Sequence, residues 1–317
     1  MRITSITVAF NADPTLLAKQ LVALQDQVDN IVIVDNGSVP SIKSGLNQPE
    51  IAATLAGAPR IDVVELQENG GIAAGFNVGI ETARKQGAEL VLLMDHDSVP
   101  AADMVSKLYV GYLQAISAGV VSNIAAIGPR IVDTRDAQEF PFIRLGWFRN
   151  LHIRCGGNQE NLVACDLLIS SGTLVSINAF DQIGKFDETL FIDNVDLEWC
   201  CRARARGFLL YGVCDAQLNH RLGDRRRVVL SQLVLVVHSP LRMYYQTRNR
   251  MLLYRRDYIP LKWALKDFLR MVARFAATIV FVAPRGQYLR MTILAMRDGF
   301  LNRGGRLPDR VEQKHGA

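Results

Sequence analysis

Along the first hundred residues, short apolar runs alternate with stretches whose apolar positions recur every three or four residues. Residues 3–10 alternate as a strand, Asn11-Ala12-Asp13-Pro14 marks a turn and helix start, and Leu16, Leu17, Leu21 and Leu24 follow at helical spacing. Ile31-Val32-Ile33-Val34 is a second strand closing on Asp35-Asn36-Gly37-Ser38, and a third covers 61–66. A small-residue segment from Asn69 to Gly79 then opens a helix reaching about Gln86, and residues 89–94 form a fourth strand running into Asp95-His96-Asp97-Ser98. Strand, helix and strand in succession, with polar groups at the strands' C-terminal edges, make the first half of a nucleotide-binding α/β sheet.

The pattern loosens further on. A helix is expected over 101–113, a strand over 125–132, polar irregular chain over 133–160 with a turn at 156–158, and a strand over 163–169 leading into Ser170-Ser171-Gly172. Phe191-Ile192-Asp193-Asn194-Val195-Asp196-Leu197-Glu198-Trp199 is a second acidic cluster, opening a helix that Gly207 stops. Residues 221–241 read as a mobile basic loop, and 242–317 as a basic amphipathic helical segment behind a domain spanning 1–220. No apolar run approaches the roughly 20 residues of a spanning helix, and the N-terminus reads as a strand, not a signal peptide.

Charge sharpens that division. The net charge of +5 conceals 20 Lys/Arg against 26 Asp/Glu in residues 1–241, and 14 against 3 in residues 242–306. Basic amphipathic helices lie in the interface of anionic membranes, so a peripheral position on the inner face of the cell membrane is expected. The alternatives are a helical subdomain packed on the sheet or a homodimer contact; nucleic acid is not expected, because no recognised motif for it is present. The five cysteines form no Cys-x-x-Cys pair and are odd in number, which predicts neither a zinc site nor a disulfide framework and points to a reducing, cytoplasmic setting.

Candidate chemistry gathers at the strand ends. In an extended chain Asp95 and Asp97 face the same way, and two carboxylates at a strand tip suit Mg²⁺ or Mn²⁺ gripping a phosphate. The competing reading is a turn or helix cap. His96 between them is expected on the opposite face, in a structural role. Asp35 suits a nucleobase imide or ribose hydroxyl, or simply a turn. The glycines from Gly70 to Gly79 permit close backbone approach to a phosphate or sugar, although their spacing is neither a dinucleotide fingerprint nor a P-loop.

Taken in order, Val34-Asp35-Asn36-Gly37-Ser38, Asn69-Gly70-Gly71 with Gly75, Asn77 and Gly79, Asp95-His96-Asp97, Ser171-Gly172, the cluster from Phe191 to Trp199, His220, and Tyr244-Tyr245 with Arg248-Asn249 resemble the inverting glycosyltransferases of family 2, and among them the bacterial rhamnosyltransferases that use dTDP-L-rhamnose. The resemblance implies an α/β chain of GT-A type: a mixed, mostly parallel sheet flanked by helices, with a C-terminal helical appendage. It implies a nucleotide-sugar donor at Asp35, Asn36, Asn69, Gly70, Gly71, Gly75, Asn77, Asp95, Ser171 and Gly172, with Arg248 either a phosphate ligand or part of a solvated face. Asp95, Asp97 and His220 would hold the metal. Asp196 would be the general base, with Asp193 its rival for that role and Glu198 fixing the acceptor or the base. The implied reaction moves a sugar onto a lipid-linked saccharide in O-antigen or similar cell-surface polysaccharide synthesis. Another donor in the same family, or a non-catalytic nucleotide-sugar-binding subunit of a polysaccharide assembly complex, is the alternative.

Overall fold

A computed structural model describes residues 1–308 except 56–59, 118–122, 147–148, 157–159, 221–224 and 231–232, with only the backbone of 225–230 and 233–236. Strand β1 (Ile3–Ala9) leads to α1 (Pro14–Leu24), β2 (Asn30–Asp35), the short helices α2 (Ile42–Leu46) and α3 (Pro49–Thr54), β3 (Ile61–Glu65), α4 (Gly71–Lys85) and β4 (Leu90–Asp95). Then come β5 (Val99–Pro100), α5 (Met104–Ser117), β6 (Ile124–Asp133), β7 (Glu139–Phe140), β8 (Phe142–Arg144), β9 (Leu151–Ile153) and β10 (Leu162–Cys165). β11 (Thr173–Ser176), α6 (Ile177–Ile183), α7 (Val195–Ala205) and β12 (Leu209–His220) complete the sheet layer. Beyond it lie β13 (Arg225–Leu230), β14 (Leu233–Val237), α8 (Pro240–Leu253), α9 (Leu261–Phe281) and α10 (Arg285–Phe300).

The main sheet runs β10-β12-β6-β11-β4-β1-β2-β3. β1 to β4 pair in parallel, as do β6 and β12, while β10 and β11 enter antiparallel. β1, β2 and β4 are buried along nearly their whole length, because helices cover both faces and each strand needs apolar groups on both sides. One core includes Val8, Val34, Phe76 and Trp199 under α4, α6 and α7; the other includes Leu17, Leu21, Leu92 and Leu108 under α1 and α5. Helix α1 starts where Asp13 accepts from the amide of Thr15 at 2.8 Å and Pro14 occupies the first turn. The pairing of Ala9 with Asp35 and of Val8 with Asp95 brings the polar strand ends to one edge of the sheet.

Several expectations are corrected here. Residues 133–160 contain the short strands β7, β8 and β9. Within 221–241, read from sequence as a loop, β13 and β14 pair as an antiparallel hairpin, consistent with the β-branched content of Val228-Val229 and Val234-Leu235-Val236-Val237; residues 221–224 lie outside the described ones, as does most of the turn expected at 156–158. Cys155 and Cys214 form a disulfide across a sequence separation of 59, with Cα atoms 5.4 Å apart. That pairing is made by tertiary approach of the β9–β10 connection to β12, which no local cysteine spacing announces. Cys165, Cys200 and Cys201 are buried free thiols.

Candidate active site

β4 delivers Asp95 as its last residue, and the chain then turns. The extended alternation predicted for Asp95-His96-Asp97 therefore ends at Asp95, and His96, expected on the far face, lines the same cleft as both aspartates. Convergence is achieved by the turn together with the end of β12. His220 Nε2 lies 3.9 Å from Asp95 Oδ2 and its Nδ1 lies 3.8 Å from Asp97 Oδ1, and a ligand atom from each of the three residues falls within 4.8 Å of the others. Burial, the largest influence, lowers the His220 pKa, against the opposing pull of Asp97 and Asp133, so the ring is neutral at neutral pH. Two carboxylates and a neutral imidazole converging in a solvent-open cleft fit a divalent cation.

A buried hydrogen-bonded bed supports this group. Ser171 Oγ accepts from the Asp95 amide at 3.3 Å and donates to Ser98 Oγ at 2.8 Å, and Ser98 Oγ bonds His220 Nδ1. From α1, Gln20 donates its amide to the carbonyls of Asp95 at 2.5 Å and Ser98 at 2.7 Å while accepting from Thr7 Oγ1 at 2.9 Å. Both Thr7 and Gln20 are fully buried. Sequence reading missed this pair because a lone Gln on an apolar helix face carries no local signal. Ser171, expected at the nucleotide, belongs to the bed, and Gly172 (φ +80°) makes the tight corner beside it, where a Cβ would meet Pro129 at 2.8 Å.

Across a cleft of about 680 Å³ stands the acidic loop ahead of α7, with Asp193, Asn194, Val195 and Asp196 among its lining residues. Phe191, Asp193 and Asn194 all hold positive φ near +62°, a conformation that side chains other than glycine resist. α8 holds them there: Asn249, wholly buried, donates its side-chain amide to the carbonyls of Leu190, Ile192 and Asp193 at 2.7–2.8 Å. Arg248 beside it is also buried, bonded to the carbonyls of Thr189, Leu190 and Gly305 and stacked on Tyr244 and Tyr245. It is not among the residues lining the cleft, so the structure makes Arg248 a clamp on the loop, not a phosphate ligand. Phe191 stacks on Tyr245 at 5.0 Å and closes the same contact.

The three acidic candidates separate by their partners. Asp193 is gripped by Arg242 through two bonds of 3.1 and 3.2 Å. Glu198 is buried against Arg202 at 2.7 and 2.9 Å and accepts from the Tyr258 hydroxyl at 2.6 Å, away from the cleft lining. Asp196 faces the cleft with a bond from the Leu197 amide, and burial, with Asp193 and Asp95 adding, pushes its pKa up to about 6. Asp95 is likewise pushed up to about 6, by burial first and by Asp97 next, with Arg242 among the cations opposing. Arg242, on the cleft wall at the first turn of α8, is a functional candidate that the arginine-rich sequence there did not single out.

The nucleotide candidates divide similarly. Both Asp35 oxygens accept backbone amides of their own corner, from Ser38 at 2.9 Å and Ile42 at 2.8 Å, so the turn role is realised. Asn36 donates to Asn69 and Gly71 and accepts from the Gly70 amide at 3.0 Å, stitching the corners after β2 and β3 together. Gly71 (φ +87°) lets the acidic loop approach: a Cβ there would lie 2.4 Å from the Phe191 carbonyl. Gly75 packs on Val8, where a Cβ would come within 2.6 Å, and Asn77 bonds Phe186 and Glu188, so these two join helix to sheet and loop and do not line the cleft.

A mixed, mostly parallel α/β sheet presenting an Asp-x-Asp turn, a histidine and an opposed carboxylate at its strand ends has the architecture of the GT-A fold. Residues 4–169 match the family described as Glycosyl transferase family 2, and the chain belongs to that family. It is 29% identical over 309 residues to the dTDP-rhamnosyl transferase RfbF of Shigella flexneri, covering 96% of this chain and 98% of the relative. It is 28% identical over 306 residues to the galactofuranosyltransferase GlfT1 of Mycobacterium tuberculosis, covering 92% and 95%. In fold it is similar to GalNAc-T7 solved with UDP, GalNAc and Mn²⁺, at a TM-score of 0.59 and 12% identity over 90% of this chain and 58% of that one.

Proposed function

We propose that this glycosyltransferase transfers L-rhamnose from dTDP-L-rhamnose, with inversion, to a lipid-linked saccharide of a cell-surface polysaccharide such as O-antigen, working on the cytoplasmic face of the membrane. The observation that carries the catalytic part is the opposition of Asp196 to the Asp95–Asp97–His220 group within one cleft. The rhamnose part rests on near full-length similarity to RfbF. Among the acidic candidates Asp193 and Glu198 are each paired with an arginine, whereas Asp196 lines the cleft with no arginine bonded to it among the described residues, which supports it as the base.

In this reading Asp196 accepts the proton of the acceptor hydroxyl as that oxygen bonds the anomeric carbon and the bond to the leaving diphosphate breaks. General-base assistance of this kind is worth about 10²–10⁴ in rate. Asp95, Asp97 and His220 would hold Mg²⁺ or Mn²⁺, which when bound supplies positive charge to the leaving diphosphate. Arg242, bound to Asp193, adds a fixed cation on the same wall. The exposed apolar and basic face of α9 supports membrane attachment.

Incubation with a donor panel including dTDP-L-rhamnose and UDP-galactofuranose, with Mg²⁺ or Mn²⁺, tests the assignment. Turnover is expected with dTDP-L-rhamnose and is expected to fall at least a hundredfold in Asp196→Asn, an order of magnitude set by general-base assistance. Preference for the galactofuranose donor would replace the rhamnose reading, and retained turnover in the variant would remove the base. Binding of dTDP without transfer to any acceptor would favour a non-catalytic subunit.

A further inference from the structure

A second cavity, of about 210 Å³, opens between α8 and α9, with Arg250, Arg270, Arg274, Asp267, Met271 and Phe275 among its walls. Asp267 is already committed, accepting from Arg250 Nε at 2.9 Å and from the Tyr254 hydroxyl at 2.7 Å. The described lining thus holds three guanidinium groups against one carboxylate. Arg242, which lines the catalytic cleft, and Met243, which lines this cavity, are consecutive residues of α8, and the charges of Asp193 and Arg242 are felt at Arg274. Burial first, and the neighbouring Arg250 and Arg242 charges, lower the Arg274 pKa, while Asp193 and Asp267 oppose, so positive charge is concentrated on this wall.

The orientation of α9 adds a second observation. Asp267, Arg270, Met271 and Arg274 fall on one face of the helix, towards the cavity. Leu261, Leu265, Leu269 and Val272 fall on the opposite face and are 80%, 61%, 61% and 40% exposed. A helix is about 10–12 Å across, so an apolar surface meeting those leucines would bring the cavity to the depth of lipid headgroups. Guanidinium groups are suited to phosphoryl oxygens, which they grip through paired N–H donors.

We propose that the α8–α9 cavity seats the diphosphate of the acceptor lipid, with Arg270 and Arg274 as its ligands, so that the saccharide is directed into the cleft towards Asp196. This rests on the lipid-linked acceptor proposed above. The full chain is titrated in EDTA, which keeps a cation at Asp95, Asp97 and His220 from bridging the probe, with farnesyl diphosphate, farnesol, or phosphatidylglycerol vesicles. Farnesyl diphosphate is expected to bind more tightly than farnesol. Arg270→Gln, at an exposed side chain, and Arg274→Gln are each expected to weaken it about tenfold. Unchanged affinity in both variants, or equal binding of farnesol, would overturn the proposal, and so would arginine dependence confined to the phosphatidylglycerol vesicles. The donor is absent from this titration, so failure of transfer from dTDP-L-rhamnose and failure of the diphosphate seat are read separately.

Discussion

Asp196 shows how environment sets the use of a residue. Its carboxyl is pushed up to about 6, first by burial and then by the charges of Asp193 and Asp95. In the base role proposed for it, Asp196 must be ionised, so kcat/KM is expected to fall about tenfold per pH unit below about pH 6 and to level off above it, and a pH–rate profile checks this. The linkage to stability has the opposite benefit. A carboxyl whose folded pKa lies above its ordinary 3.8 penalises the fold fully above about pH 6, and the penalty disappears as the pH falls towards 4. Asp196→Asn is therefore expected to raise the melting temperature at pH 7.5 and to match the parent near pH 4. A lower melting temperature in the variant at pH 7.5 would count against the strained carboxylate.

At the scale of elements, the site is assembled by pieces that are not themselves reactive. Helix α1 reaches the Asp95 turn through Gln20, and Gln20 reaches β1 through Thr7. Gln20→Met preserves size while leaving the Asp95 and Ser98 carbonyls and the Thr7 hydroxyl without this partner. Because groups behind a metal ligand commonly tune affinity by 10–100-fold, Mn²⁺ affinity measured by titration is expected to weaken about tenfold. A variant that loses melting temperature but keeps Mn²⁺ affinity would make Gln20 structural only. α8 acts in the same way on the opposite wall, through Asn249 and Arg248 on the loop that carries Asp193 and Asp196.

Over the whole molecule, charge and apolar exposure are concentrated in the C-terminal helices. No helix among the described residues is long and apolar enough to cross a membrane. Of the 21 residues of α9 only Ala264, Met271 and Thr278 are buried, which leaves the leucine face open beside a basic stripe. Such a helix suits the membrane interface, where each basic residue contributes about 1 kcal/mol. Leu265→Glu with Leu269→Glu is expected to abolish flotation with phosphatidylglycerol liposomes while leaving dTDP binding intact. A dimer in solution that the same pair of substitutions dissociates, with flotation unchanged, would assign this face to a second copy of the chain.

The apolar runs by themselves determined most of the α/β order, and the acidic strand end and the basic C-terminal segment could be read directly because each is local in sequence. The separation of roles required tertiary structure. Asp193, Asp196 and Glu198 are equivalent carboxylates along the chain, and they differ through Arg242, the open cleft and Arg202, partners brought in by packing from different elements. Arg248 and Asn77 resemble ligands by type, yet burial commits their donors to backbone carbonyls and to the side chains of Asn249 and Glu188, because an unmet polar group inside the protein is costly. Thr7, Gln20 and the Cys155–Cys214 pair leave no periodic signal, since their partners lie 13 to 78 residues away. The sequence carried the elements and the kinds of chemistry, and the three-dimensional approach of distant side chains decided which atoms face the candidate cleft.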